Sequence, residues 1–192
     1  MKNLQLVLLL LLAVVSASAQ SVAGETKPSI FEDFYQPDKV LTIKLQTDWK
    51  HFLRKQHSKE KQDAVISYTN AAGRAVTRQL TLNARGHSRL EICHFPPIKL
   101  HFKKSKLEEE GYLAPFNDLK LVTHCNNVKG GEQRVLREYL AYQLYNRINP
   151  VSYRTQLVCM QYVDEKGALY VEKMAFLIED TDALAYRLNG KE

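Results

Sequence analysis

The run Arg85-Gly86-His87-Ser88 carries side chains that could bind an anion. Arg, His and Ser supply hydrogen-bond donors, and the glycine between them permits a sharp turn of the backbone. The run follows a segment, residues 75–85, in which an apolar face alternates with a face that is polar throughout. A glycine after a strand most often marks a turn alone, so anion binding is a hypothesis that needs support from other residues.

The three cysteines are a second source of chemistry. If the chain is exported, Cys93, Cys125 and Cys159 would meet oxidising conditions, where one disulfide and one free thiol can form. The odd number leaves the pairing open. His94 and His124 each adjoin a cysteine, but neighbouring residues on a strand point to opposite faces, so a metal site would need a bend at both pairs. We therefore favour half-buried cysteines over a metal site.

Hydrophobic periodicity predicts the elements that must position these residues. Alternation predicts strands over 40–46, 64–69, 75–85, 98–102, 119–123, 153–163 and 168–178. In the fourth strand Lys99 and His101 share the polar face. A helix is predicted over 132–148, with an apolar stripe that should pack on the sheet and that consists of Leu136, Tyr139, Leu140, Leu144 and Ile148.

The first 19 residues have the pattern of a signal peptide. Lys2 precedes a short apolar run, and Ala17 and Ala19 form a small-residue cleavage site. The run is shorter than the ~20 apolar residues that span a bilayer, so we expect no stable membrane anchor after cleavage. The expected location is exported, periplasmic or extracellular. We divide the chain into a signal peptide (1–19), a lead-in linker (20–38), a domain (39–182) and the start of a further helix (183–192).

Composition narrows the functional classes. The 192 residues include 27 Lys+Arg and 21 Asp+Glu, a formal charge of +6, which is mild for a nucleic-acid-binding protein. The basic run 50–61 is better explained as a solvated helix face, so we expect no nucleic-acid partner. Only 8 glycines and 6 prolines are present, which excludes collagen and low-complexity disorder.

Four motifs in order resemble the N-terminal half of the spore coat protein H (CotH) kinase family. In that family an R-G-x-S motif precedes a P-x-K/R-L-x-F strand, a helix beginning L-R-x-Y-L-A-Y follows, and a hairpin ends near E-K. The corresponding runs here are Arg85-Gly86-His87-Ser88, Pro97-Ile98-Lys99-Leu100-His101-Phe102, Leu136-Arg137-Glu138-Tyr139-Leu140-Ala141-Tyr142 and Tyr170-Val171-Glu172-Lys173. The resemblance covers about residues 80–182.

The resemblance implies a kinase-like fold that transfers phosphate from ATP to protein. The expected fold class is α+β, a mostly antiparallel sheet with one long packed helix, similar to the small, nucleotide-side lobe of an atypical protein kinase. Kinases hold the ATP phosphates with a cation on a strand, which a carboxylate on a helix positions. Lys99 and Glu138 are the candidate pair, with Arg85 and Ser88 as further phosphate-side donors. ATP and Mg are the implied cofactors, and none of the chain's residues is predicted to bind the metal.

The resemblance also implies that the chain is a truncated lobe. In a kinase-like fold the carboxylates that hold Mg²⁺ belong to the large lobe, beyond a connector that would lie at 179–182 here, and only ten residues follow it. We therefore expect an ATP-side lobe that is not catalytically competent alone. Its partner would be a protein substrate or surface protein, and its exposed apolar surface would favour self-association.

Two other functions remain open on the sequence. One is a stand-alone exported module that binds a protein or polymer without nucleotide, in which Lys99 is a solvated strand lysine and Glu138 pairs with a neighbouring arginine. The other is a secreted hydrolase. It is weaker, because Ser, His and Asp residues are present but no G-x-S-x-G or comparable arrangement orders them.

Overall fold

The computed structural model describes residues 27–126 and 130–190, so the predicted signal peptide lies outside the described residues. The strands are β1 (Leu41–Gln46), β2 (Gln62–Thr69), β3 (Ala75–Ala84), β4 (Ile98–Phe102), β5 (Asp118–Val122), β6 (Thr155–Val163) and β7 (Leu169–Ile178). The α-helices are α1 (Ile30–Phe34), α2 (Trp49–Arg54), α3 (Ser88–Ile92), α4 (Lys104–Glu109), α5 (Gly131–Ile148) and α6 (Thr181–Arg187), and a 3₁₀ turn covers Gln56–Ser58. Within these ranges no helix has the length and apolar character needed to cross a membrane.

The sheet is a closed barrel with the strand order β1-β2-β3-β4-β5-β7-β6. All neighbouring strands pair antiparallel except β1 and β6, which run parallel from Leu41 opposite Val158 to Gln46 opposite Val163. This pairing joins the two edges that an open sheet would leave. The expected fold class, an α+β sheet like the small lobe of an atypical kinase, is therefore wrong.

The local elements were easier to predict than the closure. Each of the seven predicted strands occurs within two residues of its predicted bounds, and the long helix is α5. The segment 103–110, which lies outside the predicted strands and the predicted helix, contains helix α4 with Leu107 buried. Alternation specifies strands, but it carries no information about which strands become neighbours.

Helix α1 closes one end of the barrel. Ile30, Phe31 and Phe34 are fully buried, and the ring of Phe34 stacks on that of Tyr68 with centroids 4.1 Å apart. The helix lies within the segment 20–38 that we expected to be a lead-in linker. Its three apolar residues show that this segment contributes to the core.

A buried carboxylate fixes α1 to the barrel. Asp33 accepts hydrogen bonds from the Tyr68 and Tyr112 hydroxyls, the Asn70 amide and the Arg78 guanidinium. Burial alone would raise the pKa of Asp33, but the hydrogen bonds from Tyr68, Tyr112 and Arg78 outweigh it and the pKa is lowered. The ionised carboxylate therefore joins α1 to β2, β3 and the segment after α4.

Trp49 closes the opposite end, where β1 leads into α2. Its indole Nε1 donates to the Val163 carbonyl at 2.9 Å, and its ring packs edge-on against Tyr162. The side chain of Asp48 accepts a hydrogen bond from the His51 amide at 2.9 Å and so caps the start of α2. A polar anchor and a large apolar ring thus hold α2 on the barrel.

Helix α5 packs on the outside of the barrel through only one residue of the predicted stripe, Tyr139. Val135, Tyr139 and Tyr142 contact the outward side chains of β5 and β7, and both tyrosine rings lie within 5.8 Å of the Phe176 ring. Tyr139 and Tyr142 are therefore packing residues, as the predicted stripe indicated for Tyr139.

The remaining members of the predicted stripe face away from the barrel. Leu136, Leu140, Leu144 and Ile148 are 38%, 55%, 62% and 80% exposed. The prediction that this stripe packs on the sheet is therefore wrong. Two sets of apolar side chains with helical spacing lie on different faces of α5. The face that carries the aromatic rings of Tyr139 and Tyr142 packs on the sheet.

The cysteine pairing is settled by a disulfide between Cys93 and Cys125, which are 32 residues apart. The bond joins the loop before β4 to the segment after β5, where the Phe95 amide also donates to the Cys125 carbonyl at 2.8 Å. Cys159, on β6, is free and half-buried.

We predict that removing the disulfide lowers the free energy of unfolding by about 2–4 kcal/mol, because the bond limits the entropy of the unfolded chain. The test is urea denaturation of the double variant Cys93→Ser/Cys125→Ser. Cys159→Ser is the matched control and should change stability by about 1 kcal/mol or less. Equal stability of the double variant and the wild type would contradict the pairing.

Candidate anion-binding face of the barrel

The outward side chains of β3, β4 and β5 bring three cations together. The strand register places Lys99 opposite Asn83 on one side and opposite Lys120 on the other. Arg85 follows Asn83 by two residues, so it shares the face with Lys99 as a diagonal neighbour, at about 7–8 Å. We call Arg85, Lys99 and Lys120 the Arg85 face.

Lys99 is held by a carboxylate of β5. Its Nζ lies 2.6 Å from Asp118 Oδ2, while Asp118 Oδ1 lies 2.6 Å from His101 Nδ1. The other ring nitrogen of His101 lies 2.6 Å from Asn83 Oδ1. The ion pair expected between Lys99 and Glu138 is therefore not made, because β5 supplies a closer carboxylate.

Asp118 is ionised in this network. Burial alone would raise its pKa, but hydrogen bonds from His101 and Lys99 outweigh that effect and lower the pKa to about 2. The carboxylate therefore carries its charge throughout the neutral range and neutralises much of the charge on Lys99.

The charge of Lys120 is partly compensated by residues at the start of α6. Its Nζ donates to Thr181 Oγ1 at 2.8 Å, lies 4.0 Å from Asp180 Oδ1 and sits over the Tyr153 ring. Burial raises the pKa of Asp180, and the nearby charge of Asp118 adds to the effect. Lys120 is thus fixed in position and partly compensated.

The turn between β3 and α3 places a second arginine beside Arg85. Gly86 adopts a left-handed conformation with φ of 96°, which confirms the predicted sharp turn. Arg89, one turn further on, pairs with Glu138 of α5 at 2.5 Å. Ser88 is the exposed first residue of α3. Glu138 therefore lies near the predicted site, but its partner is an arginine, as the surface-pair alternative proposed.

Arg85 is the cation that lacks a partner. It is half-buried near Arg89, Glu138 and Tyr142, and its pKa is lowered chiefly by burial and then by the charge of Arg89. Within residues 27–126 and 130–190 no carboxylate forms an ion pair with Arg85. A partly desolvated guanidinium without a counter-ion is a site that an anion would stabilise.

The face suits a phosphate better than a magnesium ion. A guanidinium and two ammonium groups provide donors for phosphate oxygens. The nearby carboxylates, Glu138 and Asp118, are already bound to cations. In the part of the chain that the structure describes, no group of three or more His, Cys, Asp or Glu is placed to hold a metal ion. The residues therefore fit the phosphates of ATP, and they offer Mg²⁺ no ready ligand set.

A separate cleft of about 760 Å³ lies between α1, Leu113 and α6 and contains none of the four predicted site residues. Its arginines, Arg154 and Arg187, both donate to the fully buried Glu179, at 2.8 and 2.9 Å. Burial alone would raise the pKa of Glu179, but these hydrogen bonds lower it. The two arginines of this cleft are thus already paired, in contrast to Arg85.

The sequence did not single out Lys120 or Asp118, and it placed His101 on the polar face without a role. His101 and Lys120 occupy outward positions of predicted strands, and this alternation is the available signal for them. Asp118 lies one residue before the predicted strand 119–123. Which of these residues meet depends on the register of β3, β4 and β5, and the sequence does not show that register.

We predict that Asp118→Asn destabilises the chain at neutral pH and not near pH 2. The pKa of Asp118 is about 2 in the folded chain, whereas an unfolded Asp titrates near about 3.9. Its contribution is therefore complete above the unfolded pKa and is lost as the pH falls through the folded value. The measurement is denaturant unfolding from pH 2 to 7, with the exposed Asp38→Asn as control. A stability difference between Asp118→Asn and wild type that stays constant with pH would contradict the assignment.

We also predict that Arg85→Met raises the free energy of unfolding without ligand by about 0.5–1 kcal/mol, because it removes a partly desolvated, unpaired charge. Arg89→Met, which breaks the pair with Glu138, should not raise stability and serves as the comparison. Destabilisation by Arg85→Met would show that Arg85 has a structural partner.

Comparison of the chain with protein-family models, curated proteins and solved structures found no match. The resemblance to the CotH kinase family stays a prediction that rests on the sequence motifs. The contacts of the Arg85 face are accordingly the best guide to function in this chain.

Proposed function

We propose that this chain is an exported binding module that holds a phosphate group of its ligand on the Arg85 face. The observation that carries the proposal is Arg85 itself, a half-buried guanidinium without a carboxylate partner. A planar guanidinium can bind two phosphate oxygens at once. ATP is one source of such a phosphate, and a phosphorylated polymer or protein is another.

The neighbours of Arg85 support binding rather than phosphate transfer. Lys99 and Lys120 lie on the same face, where Asp118 and Asp180 compensate much of their charge and limit the repulsion between them. Transfer would need carboxylates free to hold a metal and to orient a hydroxyl. Asp118 and Glu138 are both bound to cations.

Two further observations support an exported module. The disulfide between Cys93 and Cys125 is a bond that persists in oxidising compartments, in agreement with the predicted signal peptide. The closed barrel also buries its own core, as a self-contained binding domain should.

We predict that pyrophosphate and ATP bind the chain and that adenosine does not. Arg85→Gln should weaken both affinities about 10- to 100-fold, because a hydrogen bond to a charged group contributes about 1.5–3 kcal/mol. Titration calorimetry with and without Mg²⁺ measures these affinities. Thermal unfolding gives an independent reading, since ligand at 100 times its Kd stabilises by about 2.7 kcal/mol.

The control is Arg74→Gln, which removes the same charge from an exposed turn and should leave the affinity unchanged. Equal affinities for ATP and pyrophosphate would identify phosphate as the recognised group, and a stronger ATP affinity would identify a nucleotide. If neither ligand binds, the proposal is wrong. The result would then favour the alternative, a module that binds a protein or polymer without nucleotide.

A further inference from the structure

The exposed arc of α5 is a ridge of aliphatic side chains that nothing in the described chain covers. Leu136, Leu140, Leu144 and Ile148 recur at every fourth residue and are all exposed. The buried side of the helix, with Tyr139 and Tyr142, packs on the barrel instead. Four large aliphatic side chains in one line are the typical ridge by which a helix packs into the groove of another helix.

The charge of this arc is entirely positive. Arg134, Arg137 and Arg147 are exposed on α5. The only acidic residues of Gly131–Ile148 are Glu132 and Glu138, which are half-buried and paired with Lys173 and Arg89. The aliphatic ridge is therefore bordered by arginines whose charge no carboxylate of the same helix balances.

Two occupants fit this pattern poorly. A second copy of the chain would bring the same arginines against one another, and like charges across an interface are costly. In a bilayer, the apolar arc would have to enter the hydrocarbon region. At about 100° per residue, Arg137 and Arg147 project within the angular range of the four aliphatic residues, one on each side of their line. The arc could not enter the hydrocarbon region without burying both charges, whereas a partner protein can bring a carboxylate to each of them.

We infer that the exposed face of α5 binds an acidic amphipathic helix of a partner protein. The aliphatic ridge packs into the groove of the partner helix, and carboxylates at the border of that helix pair with Arg134, Arg137 and Arg147. The buried ridge supplies most of the affinity, and the charges select the partner and its orientation. Glu138 and Tyr142, which adjoin Arg85, lie on the other side of α5, so this surface is independent of phosphate binding.

The test is selection from a displayed library of amphipathic helices. Each helix keeps one fixed apolar face, and its bordering positions vary among Glu, Lys, Gln and Ala. Selection on the full chain should enrich helices with Glu at the border. The affinity of the selected helices should fall about tenfold or more for Leu140→Gln/Leu144→Gln.

Two further variants make the result specific. Leu169→Gln removes an equally exposed leucine from β7 and should leave the affinity unchanged. Arg137→Glu/Arg147→Glu should reverse the selection in favour of Lys at the border. Because the ridge residues are exposed and Gln is a good helix former, circular dichroism should show every variant folded.

Three outcomes would overturn the inference. The first is enrichment that is the same for wild type and Leu140→Gln/Leu144→Gln, or that shows no preference for Glu. The second is self-association of the chain that Leu140→Gln/Leu144→Gln abolishes, which would make a second copy the occupant. The third is binding to phosphatidylserine vesicles that depends on the same two leucines, which would make a lipid surface the occupant.

Discussion

The parallel pairing of β1 with β6 is the constraint on which the rest of the structure depends. It joins strands whose paired residues Leu41 and Val158 are 117 positions apart, and it converts a twisted sheet with two edges into a barrel with none. Closure creates an interior that needs a cover at each end, which α1 and Trp49 provide. The antiparallel pairing of β4 with β3 and with β5 places cations from separate segments next to one another on the outer surface of this barrel.

The charges on that surface follow a simple rule with one exception. Lys99, Lys120 and Arg89 each lie near a carboxylate, as partly buried cations generally do. Arg85 lies near Glu138 but, among the described residues, forms no ion pair with a carboxylate, although burial and the charge of Arg89 both disfavour its charged form. An unpaired, partly buried charge lowers the free energy of unfolding of the chain. A bound anion would offset that loss. The fold does not require Arg85 to be charged, whereas a phosphate ligand does.

The sequence predicts local features well and non-local ones poorly. Alternation predicted every strand and Gly86 forms the expected turn, because each depends on residues close together in the chain. The closure, the pairing of Lys99 with Asp118 and the choice of packing face on α5 depend on distant partners. Arg85 and Glu138 lie near each other, but Lys99 pairs with Asp118 and not with Glu138.

The most direct test of the Arg85 face is an NMR titration with pyrophosphate that follows the arginine Nε–Hε signals of the folded chain. The account predicts that the Arg85 signal moves and saturates, while the signals of Arg154 and Arg187, which are held by Glu179, stay in place. A titration that moves Arg154 or Arg187 and leaves Arg85 unchanged would contradict it, because the anion would then bind in the cleft beside α6.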